Sequence, residues 1–120
     1  MSPAAVFIDA TRMVALLDRD EPEHKDSENM LRIELDAGAV LLTSNYDVVK
    51  ASLELQRRHG IMGPRLLLHD LVPCLHVEWC LRRDHLAAVE AHLAGANDAK
   101  DLVDCVAAEI MRRVGVNPTF

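Results

Sequence analysis

Aromatic side chains are nearly missing from this sequence: Trp79, Tyr46 and two phenylalanines make up 3% of it. Leu, Val, Ile, Ala and Met must therefore fill the interior. Cysteine is scarce too, and the three present are an odd number, so no disulfide framework is implied. No apolar run approaches the length of a membrane span, and no secretory signal precedes the first strand. The cytoplasm is the expected compartment, with no membrane partner. Positive charge is in deficit. A net charge of −6 argues against broad nonspecific binding to nucleic acid. No internal repeat or low-complexity tract interrupts the chain.

What remains is the composition of a folded domain. Half of the 120 residues are hydrophobic and 27% are charged, enough to bury one real core. The arginines come in pairs, at 57 and 58, 82 and 83, and 112 and 113. They read either as a local basic rim or, more simply, as solvated helix faces. The stretch HDLVPCLHVEWC carries zinc-ligand types at His69, Cys74, His76 and Cys80 but lacks the tight C-x-x-C spacing of structural zinc sites. Strand alternation would put Cys74, His76, Glu78 and Cys80 on one face. Buried strand cysteines beside a lone histidine are the favoured reading.

Ala4 to Ile8 is a continuous apolar run, as in a central parallel strand, and it ends at Asp9. TRMVALLDRD predicts a helix broken near Glu21-Pro22. KDSENMLRIELDAG predicts a second, stopped near Gly38. Val40 to Thr43 is a second strand, and Ser44 or Asn45 caps a helix that runs to His59-Gly60. PRLLLHDL is a short helix opened by Pro64. Cys74 to Trp79 is a third strand and DHLAAVEAHLAG a further helix. Asp101 caps the last helix, LVDCVAAEIMRRVG, which stops at Gly115, leaving Asn117 to Phe120 for a fourth strand. Strands alternating with helices give an α/β fold whose sites lie at the strands' carboxyl ends.

Two carboxylates stand out. Asp9 closes the first strand, where it either caps the next helix or serves a site. Asp104 lies at the edge of the apolar arc formed by Leu102, Val103, Val106, Ala107, Ile110, Met111 and Val114. A half-desolvated carboxylate there needs a partner or a metal ion. Two such acids converging suggest a hard cation such as magnesium.

VFIDAT at 6–11, the His24 region after Pro22, TSNY at 43–46 and the helix DLVDCVAAEIMRRVGV together resemble the PIN-domain family, which includes the VapC-like toxin ribonucleases of toxin–antitoxin systems. The resemblance spans almost the whole chain. It implies a single domain over 1–120, with a parallel sheet of four to five strands and helices on both faces. It also implies acidic residues that bind Mg2+ or Mn2+ to cut single-stranded RNA, an antitoxin protein as partner, and homodimers. Carried over by position, Asp9 is the first acid, Thr11 the hydroxyl beside it, and Asp104 the third acid. Asp101 is a nearby acid and helix cap. The family's second acid, a glutamate, is matched by Lys50. Its fourth acid would follow Pro118-Thr119-Phe120, so the chain is expected to end before or within its last strand, without that acid.

Lys50 decides the expected chemistry. A lysine roughly 5 Å from a divalent ion opposes it by about 6–7 kcal/mol at an effective dielectric near 20. Flexibility halves that figure, and ~3 kcal/mol is still about two orders of magnitude in ion affinity. Cleavage that depends on metal-activated water is expected to be weak or lost. The domain would then serve as a degenerate PIN module that binds RNA or protein and needs no cofactor. Two rescues stay open. Asp47 or Glu54 supplies a displaced carboxylate, or the ammonium group itself replaces the metal and neutralises Asp9 and Asp104. Against both stands a plain surface reading, in which Asp47, Lys50, Glu54, Arg57 and Arg58 form an ion-paired helix face opposite Val48, Ser52 and Leu55.

Overall fold

Val6, Phe7 and Ile8 are consecutive apolar residues, and all three are buried, so the strand that carries them is covered on both faces. The computed structural model, which describes residues 4–95 and 97–116, shows what covers it. Strand β1 (Ala5–Phe7) pairs in parallel with β2 (Val40–Ser44), and β2 pairs in parallel with β3 (His76–Glu78). The strand order is β1-β2-β3. The period-2 alternation of strands sorts the apolar runs between two cores. Val6, Ile8 and Leu41 face Met13 and Val14 of α1 (Ala10–Leu17) and Ala51 and Leu55 of α3 (Asn45–His59). Phe7 and Leu42 face Ala88 of α5 (Arg82–Gly95) and Val106, Ala107 and Ile110 of α6 (Leu102–Val114). This is the expected three-layer α/β arrangement. The sheet has three strands among the described residues, against four to five expected, and the fourth strand anticipated at Asn117 to Phe120 lies outside them.

Helix α2 (His24–Asp36) lies outermost and contributes only Ser27 to the fully buried set. The segment after α3 departs from expectation. Helix α4 (Met62–Arg65) opens before Pro64 and continues as a wider π-helical stretch, Leu66–Leu71, then a 3-10 turn, Val72–Cys74. Pro73 has no N–H to donate, so regular helix cannot pass it. The same turn takes Cys74 out of the third strand, so it does not share a strand face with His76. Elsewhere local chemistry sets the ends as anticipated. Ser44 Oγ accepts from Asp47 N at 2.9 Å to cap α3, and Gly115, at φ 75°, ends α6 in the left-handed conformation that favours glycine.

Candidate functional site

The carboxyl ends of β1 and β2 deliver two helix N-termini side by side. Asp9 caps α1, its Oδ1 accepting from Arg12 N at 2.8 Å. Asp47, in the first turn of α3, is only 2% exposed. Its Oδ1 accepts from Ala10 N at 2.9 Å and its Oδ2 from the Ser44 hydroxyl at 2.5 Å. Burial pushes the Asp47 carboxyl up to about 6 despite those bonds and the opposing charge of Lys50, and neighbouring Asp9 adds to the rise. Asn45 does a similar job on the other side, where its Oδ1 accepts from Cys80 N at 2.8 Å and ties the end of β2 to the chain after β3.

Asp101 and Asp104 meet this edge from α6. They form a capping box: Asp101 Oδ1 accepts from Asp104 N at 2.9 Å, and Asp104 Oδ2 accepts from Asp101 N at 3.0 Å. The free oxygen of Asp101 receives Lys50 Nζ at 2.5 Å. Burial works against the charged form of Lys50, yet the Asp101 bond and the charges of Asp101, Asp104 and Asp47 outweigh it, so its pKa is raised. Lys50 thus turns into the cleft, as the metal-replacement reading requires, but its bonded partner is Asp101 and not Asp9 or Asp104. Thr11, Lys50 and Asp101 line a groove of about 830 Å³ between α1, α3 and the start of α6. Val49 and Leu53 of α3 line it too, at 58% and 65% exposure.

The surface-ladder reading of α3 fails at Asp47 and Lys50 and holds at Glu54, Arg57 and Arg58. Asp47 is buried against α1, because the helix starts where the sheet edge and the α1 backbone converge. Glu54 is taken up by Arg57 and Arg58, which hold its carboxyl at about 2. Two of the paired arginines are also more than solvated faces. Arg58 joins Asp18 at 2.7 Å and Glu21 at 2.5 Å, fastening the chain after α1 to α3. Arg113 joins Asp84, Glu78 and the carbonyl oxygen of Trp79, fastening α6 to α5 and the end of β3. His76 bonds Glu78 at 2.9 Å, and exposed Cys74 donates to the carbonyl oxygen of Asp70 at 3.5 Å. The sequence offers Asp47 as a displaced metal carboxylate and Asn45 as a helix cap, but not their bracing of α1 and of the chain after β3. The S-x-x-D spacing of Ser44 and Asp47 was the available signal, but it predicts a cap and not a brace to α1.

A divalent ion of the magnesium type needs several carboxylate and water oxygens converging on one point. Among the described residues, no group of three or more His, Cys, Asp or Glu side chains is so arranged. Both Asp47 oxygens are engaged, Asp101 and Asp104 hold each other's backbone, and an ammonium group sits on the remaining Asp101 oxygen. This donor set does not fit Mg2+ or Mn2+.

No family model matches the sequence, and neither does any curated protein. Among solved structures, the chain is similar to the crystal structure of Mycobacterium tuberculosis VapC20, a sarcin-ricin loop cleaving toxin. The match has a TM-score of 0.78 at 19% identity, and covers 92% of this chain and 84% of that one. The α/β architecture around the cleft is a VapC-like PIN fold.

Proposed function

We propose that this protein is a VapC-like PIN-domain module that engages RNA at the groove between α1 and α3, with feeble or no metal-dependent cleavage. The observation that carries the reading is the Lys50–Asp101 bond, 2.5 Å long, at the mouth of a fold shared with an RNA-cleaving toxin. In this reading Asp9 and Asp104 are what remains of a catalytic, metal-binding acid set. Thr11 contributes a hydroxyl at the groove wall, and the Lys50–Asp101 pair lines the cleft beside it. A cytoplasmic RNA, with an antitoxin-type protein as regulator, is the corresponding pair of partners. The test is a parallel binding and cleavage assay on a single strand and on a sarcin-ricin stem-loop, with Mg2+, Mn2+ or EDTA. The expected result is binding that weakens with salt, as phosphate contacts dictate, and little cleavage in any buffer. Efficient cleavage abolished by EDTA would overturn the degraded-site reading, and no binding at low salt would overturn the RNA reading.

A second reading is favoured by a separate observation. The groove wall exposes Val49 and Leu53, and Trp79, Leu86 and Leu93 are exposed on and before α5. Large exposed apolar side chains mark protein contacts when they are contiguous. The domain would then be a degenerate PIN fold kept for self-association or for binding another protein.

A further inference from the structure

From the arrangement around Lys50 we infer that its ammonium group is the resident cation of the cleft, built into the chain in place of any bound metal, and that the docking of α3 on the start of α6 depends on it. The inference goes beyond RNA binding, since it concerns what holds the cleft together and not what enters it. Four aspartates crowd the region where α1, α3 and α6 begin. Asp9 lies close enough to Asp47 to raise its pKa, and Asp47, Asp101 and Asp104 all act on Lys50 through their charges. That many carboxylates at one edge repel one another and call for a cation. Lys50 supplies it from within.

The geometry shows the ammonium group in a structural part. Asp101 caps α6 with one oxygen and takes Lys50 with the other, while Asp104 returns a bond to Asp101 N. Lys50 therefore fastens the middle of α3 to the first turn of α6, next to the groove both helices line. The side chains of Lys50 and Asp101 are 38% and 48% exposed, so an ion in solution has access to the pair. A divalent cation must displace the ammonium or accept its repulsion, and neither cost falls on a site without Lys50.

The test uses the full chain and four proteins: wild type, Lys50→Met, Lys50→Glu and Lys50→Arg. Manganese alone is titrated by calorimetry, and thermal midpoints are read in EDTA and in millimolar Mn2+. Wild type and Lys50→Arg should share one midpoint that neither EDTA nor Mn2+ moves, with no saturable Mn2+ binding. Lys50→Met should melt lower in EDTA and recover in Mn2+. Lys50→Glu should bind Mn2+ at least about 100-fold more tightly than wild type. If Lys50→Met melts with wild type in both buffers, or if wild type binds Mn2+ as tightly as Lys50→Glu, the inference is wrong. If Lys50→Glu fails to fold without metal, recovery of its folded spectrum in Mn2+ supports the inference and failure to recover overturns it. None of these readouts depends on RNA, so RNA binding can fail while the resident cation stands, or the reverse.

Discussion

Asp47 carries a cost that most carboxylates in this protein do not. Its folded pKa of about 6 lies above the ordinary value of 3.8, so the native state holds the proton more tightly than the unfolded chain does. The sign follows by linkage. Stability falls as pH rises from about 4 through 6, and the penalty, ~2–3 kcal/mol at most, is fully present above that window. Below about pH 4 the opposite group takes over. Asp18, Glu78, Asp84 and Asp101 are held below their ordinary range, so the stability they contribute is lost as pH falls further. Asp47→Asn keeps an acceptor for Ala10 N and removes the charge. Urea denaturation of the variant should give a flatter pH profile between 4 and 7, and equal or greater stability at pH 7.5. Asp47→Ala should instead lose about 2 kcal/mol, because Ala10 N is left without its partner. A wild-type profile that rises from pH 4 to 7 in parallel with the Asn variant would show that Asp47 ionises freely in the fold.

At the scale of elements, α3 is the piece on which the others are hung. Its first turn braces α1 through Asp47, its middle reaches α6 through Lys50, and its last turn holds the chain after α1 through Arg58. Asp18 is almost fully buried, so removing Arg58 leaves its carboxylate with only Asp20 N and the His59 ring beside it. Arg58→Ala should cost about 2 kcal/mol, less than a wholly buried pair because the guanidinium is 28% exposed. Arg58→Lys should recover only part of this, since one ammonium cannot reproduce the bonds to Asp18, Glu21 and Glu54 together. The turn into α4 is as demanding for a different reason. A Cβ on Gly63 would lie 2.5 Å from the carbonyl oxygen of Leu55, a backbone atom that cannot swing aside. Gly63→Ala should destabilise by about 2 kcal/mol or more through displacement of α4 from α3, read as a lowered urea midpoint.

For the whole molecule, the consequential feature is apolar surface left outside the two cores. Trp79 is 68% exposed just after β3, which is an outer strand of the sheet among the described residues, and Leu86 and Leu93 are exposed seven residues apart on α5. No helix of the described residues is long and apolar enough to cross a membrane. Self-association, part of the second functional reading, predicts a dimer in light scattering at micromolar concentration. Leu86→Glu combined with Leu93→Glu should shift it to monomer without changing the far-UV spectrum. A wild-type monomer at millimolar concentration would remove that reading.

The sequence by itself determined the elements and their order. The continuous apolar run at 4–8, the strand at 40–43, a cap at Ser44 or Asn45, the Asp101 cap and the Gly115 stop each act within a few residues, so their effects are local and readable. The α/β class follows from that periodicity together with the resemblance to PIN domains, and the expectation of a site at Asp9 and Asp104 rests on the resemblance. The segment 62–75 was less legible, because Gly63 answers to Leu55 across a turn and Pro73 ends one hydrogen-bond ladder without specifying the next. Only the tertiary structure decided the partners of charged groups. Asp47, Lys50 and Glu54 look alike on a helical wheel, yet one is buried against α1, one is bonded to α6 and one is held by its own helix. Wheel positions fix direction relative to a single axis, whereas burial and pairing depend on which other elements arrive at that side.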